Sequence, residues 1–165
     1  MHFEQETLVI ESSCVEETQA AAAALAGAVC PGDVIALDGD LGAGKTYFTQ
    51  GLAAGLGISQ AVSSPTFNVM VEYDEGRVPL YHFDLYRLNE PEELEDIAFY
   101  EYTEGLGVAC VEWAGKFEEE LPEDVIQIYI STVSATQRRL RIAGTGPVSA
   151  ARVQEWARNL SPEKE

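Results

Sequence analysis

The stretch Gly39 to Leu52, "GDLGAGKTYFTQGL", decides the fold. It follows the apolar run "DVIALD" (Asp33 to Asp38) and leads into a helical pattern that extends to about Leu56. A continuous apolar run of strand length belongs in the centre of a sheet covered on both faces. Gly39, Gly44, Lys45 and Thr46 satisfy G-x-x-x-x-G-K-[ST], so the order is strand, glycine-rich loop, helix. Each residue type in this loop has a physical task. The glycines permit backbone conformations and close approaches that a Cβ obstructs, so the N–H groups from Leu41 through Gly42, Ala43 and Gly44 to Thr46 can turn toward phosphate oxygens. The helix opening at Gly44 adds its partial positive charge. Lys45 brings a full charge to the β- and γ-phosphates of a triphosphate, and the Thr46 hydroxyl suits the Mg2+ that travels with them.

The rest of the chain supplies strands and helices around this unit. "TLVIES" reads as a strand, and Ser13 with Glu16 has capping-box spacing at the start of an Ala-rich helix from Val15 to Ala28. "NVMVEY" and "VPLYHFDLY" flank "DEGR", where Glu75-Gly76 suits a tight turn, and predict a hairpin. "NEPEELEDIAFYEY" predicts one acidic helix with Pro91 in its first turn. "GVACVEW" is a second buried strand, "DVIQIYIS" and "RRLRI" a closing hairpin, and "VSAARVQEWARNL" a last helix. These elements predict an α/β fold: one P-loop NTPase-like domain over residues 1–160, with a mostly parallel central sheet, helices on both faces, antiparallel edge hairpins and a short polar tail at 161–165.

Composition narrows the function. The 165 residues carry 28 acidic against 10 basic side chains, a formal net charge of -18. Such a surface repels nucleic-acid phosphate and anionic lipid, so autonomous nucleic-acid binding is not expected, and a basic protein partner is the natural counterpart. No apolar run approaches the roughly 20 residues that span a bilayer. The acidic N-terminus "MHFEQETLVI" is unlike a signal peptide, which places the chain in the cytoplasm. Cys14, Cys30 and Cys110 lack metal-ligand spacing and read as small buried hydrophobes of a reducing compartment.

A P-loop needs a carboxylate on a neighbouring strand to anchor Mg2+, and two apolar runs end in acids, at Asp84 and at Glu112. Both belong at strand carboxyl ends, beside the phosphates; the run before Glu112 is apolar throughout and slightly favours it. His82 reads as a packed or capping residue rather than a general base. In "SSPTF", Ser63, Ser64 and Thr66 are either an ordinary turn or a sensor of the γ-phosphate. Trp113 either covers a nucleotide or plugs the sheet. Arg87 is either a transition-state cation or one half of a surface ion pair.

"GDLGAGKTYFTQGL", "SSPTFNVMVEY", "HFDLYRL", "PEELEDIAFYEY" and "VEW" occur in an order and spacing that resembles the TsaE (YjeE) family over roughly Ser12 to Arg141. That family is the bacterial ATPase assisting synthesis of the tRNA modification threonylcarbamoyladenosine (t6A). The resemblance implies ATP and Mg2+ as ligands, and action with TsaD and TsaB proteins, so that tRNA is met only through the complex. It assigns Thr46 and Glu112 to Mg2+ and Asp84 to hydrolysis close to the metal. It extends the nucleotide pocket to Val15 and Thr18, and to Arg138. Three positions depart from the family pattern. Tyr47 stands where a second Thr is common and Ala98 where Gly is frequent, both expected to alter packing alone. Gly115 stands where an acid often follows "EW", which removes any role for a carboxylate there. The alternative is a small-molecule P-loop kinase, against which no arginine-rich lid segment is found; a GTPase is disfavoured because N-K-x-D is absent.

Overall fold

In the computed structural model the described residues are 1–40, 42–65 and 68–161. Eight strands form one sheet: His2–Glu4 (β1), Thr7–Ser12 (β2), Val34–Gly39 (β3), Met70–Tyr73 (β4), Leu80–Asp84 (β5), Val108–Glu112 (β6), Ile126–Thr132 (β7) and Arg138–Gly144 (β8). Their spatial order is β1-β2-β8-β7-β3-β6-β5-β4. The four central strands β7, β3, β6 and β5 run parallel, and antiparallel hairpins close both sides. The helices are Val15–Ala26 (α1), Lys45–Gly55 (α2), Glu92–Asp96 (α3), Phe99–Thr103 (α4) and Pro147–Leu160 (α5), with a 3-10 segment at Ala114–Glu120. The expected α/β fold is present.

Hydrophobic patterning accounts for how the layers lie. Along β3, Ile35 and Leu37 enter the core beneath α1, α2 and α5, while Val34 and Ala36 enter the core beneath α3, α4 and the 3-10 segment. In β6, Val108 and Cys110 face the first core, Ala109 and Val111 the second. Strand β7 alternates instead: Ile126, Ile128 and Ile130 are buried, whereas Gln127 and Tyr129 are exposed. Continuous apolar strands thus lie where helices cover both faces, and alternating ones where a single helix layer does. In the first core the fully buried Trp156 meets Phe48 edge-on and donates Nε1–H to Ala21 O at 2.8 Å, joining α5, α2 and α1. Helices α1 and α2 approach closely at Gly51, where a Cβ would lie 2.3 Å from Gln19 O.

Several local expectations are corrected. Ser13 is tied by its N–H and hydroxyl to Glu17 Oε1 (2.7 and 2.8 Å), not to Glu16, because Cys14 is the N-cap and places Glu17 at the reciprocal position. The β4–β5 link is not a tight turn. Its residues 74–79 lie against the end of α2, with Arg77 N–H donating to Leu56 O and the Glu75 carboxylate accepting from Ser59 and Gln60. Strand β1, read in the sequence only as an acidic N-terminus, pairs with β2. The acidic helix is two short ones, broken where Ala98 adopts the left-handed conformation (φ 57). Exchange of Gly for Ala at this position therefore alters backbone strain and not packing alone. Cys14 and Cys30 are exposed, and only Cys110 is buried, with burial pushing its thiol up to about 12. The polar tail lies, from 162 on, outside the described residues.

A left-handed non-glycine residue costs about 1–2 kcal/mol, and glycine returns about 0.4–1 kcal/mol as unfolded-chain entropy. Ala98→Gly is therefore expected to stabilise the protein by about 0.5–1 kcal/mol in urea unfolding, and a loss of stability contradicts the strain. With an aromatic disulfide reagent, Cys14 and Cys30 of the native protein react and Cys110 reacts only on unfolding; rapid modification of all three thiols contradicts the burial of Cys110.

Candidate functional site

The glycine-rich loop begins where β3 ends, and its first glycine is required by space. A Cβ on Gly39 would lie 2.5 Å from Ile130 O of the neighbouring β7. The Asp40 carboxylate, accepting from Tyr129 O–H and Thr132 N–H (both 3.2 Å), ties the loop's entry to β7. Gly42 (φ 78) and Gly44 (φ 107) are left-handed, and Gly44 caps α2. Phe48 N–H makes the first bond of that helix, to Gly44 O at 2.9 Å. Among the described residues the amides of Lys45, Thr46 and Tyr47 have no acceptor, so they form a donor array at a helix N-terminus, whereas the Ala43 amide, expected to face phosphate, is taken up within the loop by Asp40 O at 3.0 Å. Leu41 lies outside the described residues.

Lys45 is only 6% exposed. Its Nζ donates to Gly39 O (3.1 Å) and Asp40 O (3.0 Å) and stands 4.3 Å from the centre of the Trp113 ring. Desolvation lowers its pKa, opposed by the charges of Glu112, Asp38, Asp84 and Asp40. The ammonium is thus folded into its own loop.

The carboxylates arrive through strand register. Asp84 is paired with Glu112 across β5–β6, and Leu37 with Glu112 across β3–β6, so all three strands deliver their carboxyl ends at one level. Glu112 is 3% exposed; its Oε2 lies 2.6 Å from His82 Nε2 and accepts from Thr46 Oγ1 at 3.4 Å. Asp84 accepts from Ser64 Oγ (2.9 Å) and from Tyr86 N–H (3.1 Å).

These groups line a cavity of about 460 Å³ that includes Gly42, Gly44, Lys45, Thr46, Asp84, Glu112 and Trp113. Lys45 is its only lining cation among the described residues. A second lobe of about 240 Å³ holds Val15, Thr18, Ala43 and Arg138, and shares Gly42, Gly44 and Tyr47 with the first. A further cavity of about 400 Å³, on the sheet face left without helices around Asp38 and Tyr129, offers no comparable donor array among the described residues. The first lobe fits a polyphosphate, having an amide array and a lysine, and its adjoining hydroxyl and carboxylate suit a hard cation.

The structure therefore brings together nearly all of the residues singled out in the sequence. Thr66 lies outside the described residues; Arg87 is exposed and does not line either lobe. Arg138 braces the loop, donating from Nε to Ala43 O (3.0 Å) and from Nη1 to Ser134 and Gln137 carbonyls. Tyr47 is 47% exposed and borders both lobes, so its exchange for Thr alters the site's wall rather than packing alone. Asp38 accepts from Gly115 N–H at 3.0 Å and occupies the space against that residue, while its own pKa is raised by burial. Sequence reasoning missed Gln50, which lines the first lobe, the Ser64–Asp84 contact, and the direct contact of His82 with Glu112. Strand parity was the available signal for His82, since residues 82 and 84 share a face.

Known proteins resemble this chain along most of its length. The family described as "Threonylcarbamoyl adenosine biosynthesis protein TsaE" matches residues 12–140. The tRNA threonylcarbamoyladenosine biosynthesis protein TsaE of Bacillus subtilis is 48% identical over 131 residues, covering 79% of this chain and 82% of its own. The protein of the same name from Treponema pallidum is 42% identical over 112 residues, 68% of this chain and 82% of its own. The solved structure of Bacillus subtilis YdiB superposes with a TM-score of 0.82 at 38% identity, covering 98% of this chain and all of that one. With the P-loop, both strand-end acids and the "EW" pair inside the matched region, the chain belongs to the TsaE family.

Proposed function

We propose that the protein binds ATP with Mg2+ in the two-lobed cavity, hydrolyses it slowly alone, and uses it in t6A formation on tRNA in the cytoplasm, in complex with TsaD and TsaB. One observation carries this reading. Lys45, Thr46, Glu112 and Asp84, from three different elements, meet in one cavity above the left-handed Gly42 and Gly44. Its relatives are named for t6A biosynthesis, and among the described residues no helix is long and apolar enough to cross a membrane.

The chain's residues have separable roles in this reading. The amides of Lys45, Thr46 and Tyr47 bind phosphate oxygens, and Lys45 exchanges its bonds to the Gly39 and Asp40 carbonyls for the β- and γ-phosphates. Thr46 and Glu112 would hold Mg2+, with Asp84 close by; the metal, when bound, offsets charge developing on the phosphates. Asp84, with both oxygens tethered, orients the attacking water. The second lobe, with Val15, Thr18, Tyr47 and Arg138, receives the nucleoside, and Trp113 forms a wall beside Lys45.

No arginine reaches the first lobe among the described residues, while fast phosphoryl transfer usually requires one. A chain of net charge -18 also grips tRNA poorly. Both points favour a partner that completes the site and touches the RNA.

Lys45→Ala is expected to cut Mg·ATP binding and turnover sharply, and unchanged binding and hydrolysis would sink the assignment. Glu112→Ala is expected to cost about 2–4 kcal/mol in catalysis and to impair hydrolysis more than folding, with urea unfolding showing the smaller loss of about 1–3 kcal/mol that comes from stripping the buried His82 of its partner. Steady-state hydrolysis by the chain alone, then with TsaD, TsaB and tRNA, distinguishes the alternatives. A slow rate that the partners raise supports the reading. Turnover of tens per second alone, or indifference to the partners, returns the chain to the small-molecule kinase class.

A further inference from the structure

His82 is completely buried in the middle of β5, paired with Cys110 of β6. Its ring lies on the same side of the sheet as Asp84, two residues on, so the "HFD" run sends two polar side chains toward the end of one strand face. The ring makes one polar contact among the described residues, Nε2 to Glu112 Oε2 at 2.6 Å. Its other nitrogen, Nδ1, is buried with no partner there. Burying a polar atom without a partner is unfavourable, and a leucine or phenylalanine would fill a sheet interior without that cost. Among the described residues, the sole polar return on burying this ring is its bond to Glu112.

That bond fixes the carboxylate. Glu112 is itself 3% exposed, and an ionised carboxylate only accepts, so the hydrogen in the contact sits on Nε2. Oε2 is committed to the ring and, more weakly at 3.4 Å, to Thr46 Oγ1. Oε1 takes no hydrogen bond from the described residues and is left for the cavity. Without the ring, the side chain is free to turn toward the neighbouring Lys45 ammonium, whose charge it feels. Groups that hold a metal's ligands in place typically change metal affinity 10–100-fold when removed.

We propose that His82 is a positioning residue for the cation site: it locks the Glu112 carboxylate in the rotamer that presents one oxygen to Mg2+. The inference rests on the Mg·ATP reading above and adds to it a residue that never touches the nucleotide. It separates two properties that a merely structural histidine would move together. Nucleotide affinity without metal depends on the loop amides and Lys45, whereas the demand for Mg2+ depends on Glu112 being held.

The test compares wild-type protein with His82→Phe, which keeps a ring but removes the donor, and His82→Gln, whose amide can donate from nearly the place of Nε2. Each is checked by urea unfolding, and the ring-preserving and amide variants bracket any loss of packing. Fluorescent ATP-analogue binding is measured in EDTA and then as Mg2+ is added. Expected are EDTA affinities within about twofold of wild type for both variants, a Mg2+ requirement raised about tenfold or more in His82→Phe, and its return to within about threefold in His82→Gln. In hydrolysis at fixed moderate Mg2+, kcat of His82→Phe falls, excess Mg2+ restores part of it, and KM moves little. A wild-type Mg2+ requirement in His82→Phe, or equal losses with and without metal, overturns the proposal while Lys45→Ala still reports on the ATP site. Absence of any Mg2+-dependent ATP binding by the wild-type protein overturns both.

Discussion

The parallel register of β3, β6 and β5 is the constraint on which the site depends. Leu37 stands opposite Glu112, and Glu112 opposite Asp84, so the P-loop opens two residues beyond a row of strand ends that carries both acids. What holds the register is burial on two sides: the alternate residues of each strand belong to different cores, so both parities are specified. A slip of one residue would exchange Glu112 with the wholly apolar Val111 and turn the carboxylate into the second core. The crevice also sits where the chain changes direction. From β3 it leaves toward β4 and β5, and from β6 it returns past β3 to β7, the place where open α/β sheets receive ligands.

Electrostatics then give the site a distinct character within an acidic protein. Lys45 is buried beside four carboxylates whose charge supports its own, yet its hydrogen bonds go to the carbonyls of Gly39 and Asp40. An incoming polyphosphate has to win this ammonium from the loop and from the Trp113 face. The backbone around the cavity is strained as well: Trp113 (φ 60) and Val69 (φ 68) are left-handed, and Val69 O accepts from Asp84 N–H at 2.8 Å. A β-branched residue in that conformation costs of order 1–3 kcal/mol, and both positions flank the acids of the site.

Much of this was legible in the sequence, and the reasons are physical. The P-loop is contiguous, and the positive φ of Gly42 and Gly44 is a local demand that the sequence shows directly, although the need for Gly39 comes from β7 beside it. The strand-end acids were visible because apolar runs have sharp ends. What escaped notice depends on contacts between distant segments. The His82–Glu112 bond spans 30 residues and becomes visible only once β5 and β6 are set in register. The split of the acidic helix at Ala98 was hidden because alanine is an excellent helix former, so propensity argued against the break found there. The exposed Cys14 and Cys30 show the limit of composition, since a cysteine's usual burial says nothing about a helix cap or a turn.

The most direct measurement is a crystal structure of the protein with a non-hydrolysable ATP analogue and Mg2+. The account predicts phosphates on the amides of Lys45 to Tyr47 and the Lys45 ammonium withdrawn from the Gly39 and Asp40 carbonyls onto them. It places the metal about 2.0–2.1 Å from Thr46 Oγ1, with Glu112 bound to it directly or through one water and still hydrogen-bonded to His82. A metal that lies more than one water from both Glu112 and Asp84, or a nucleotide seated outside the two lobes, contradicts it.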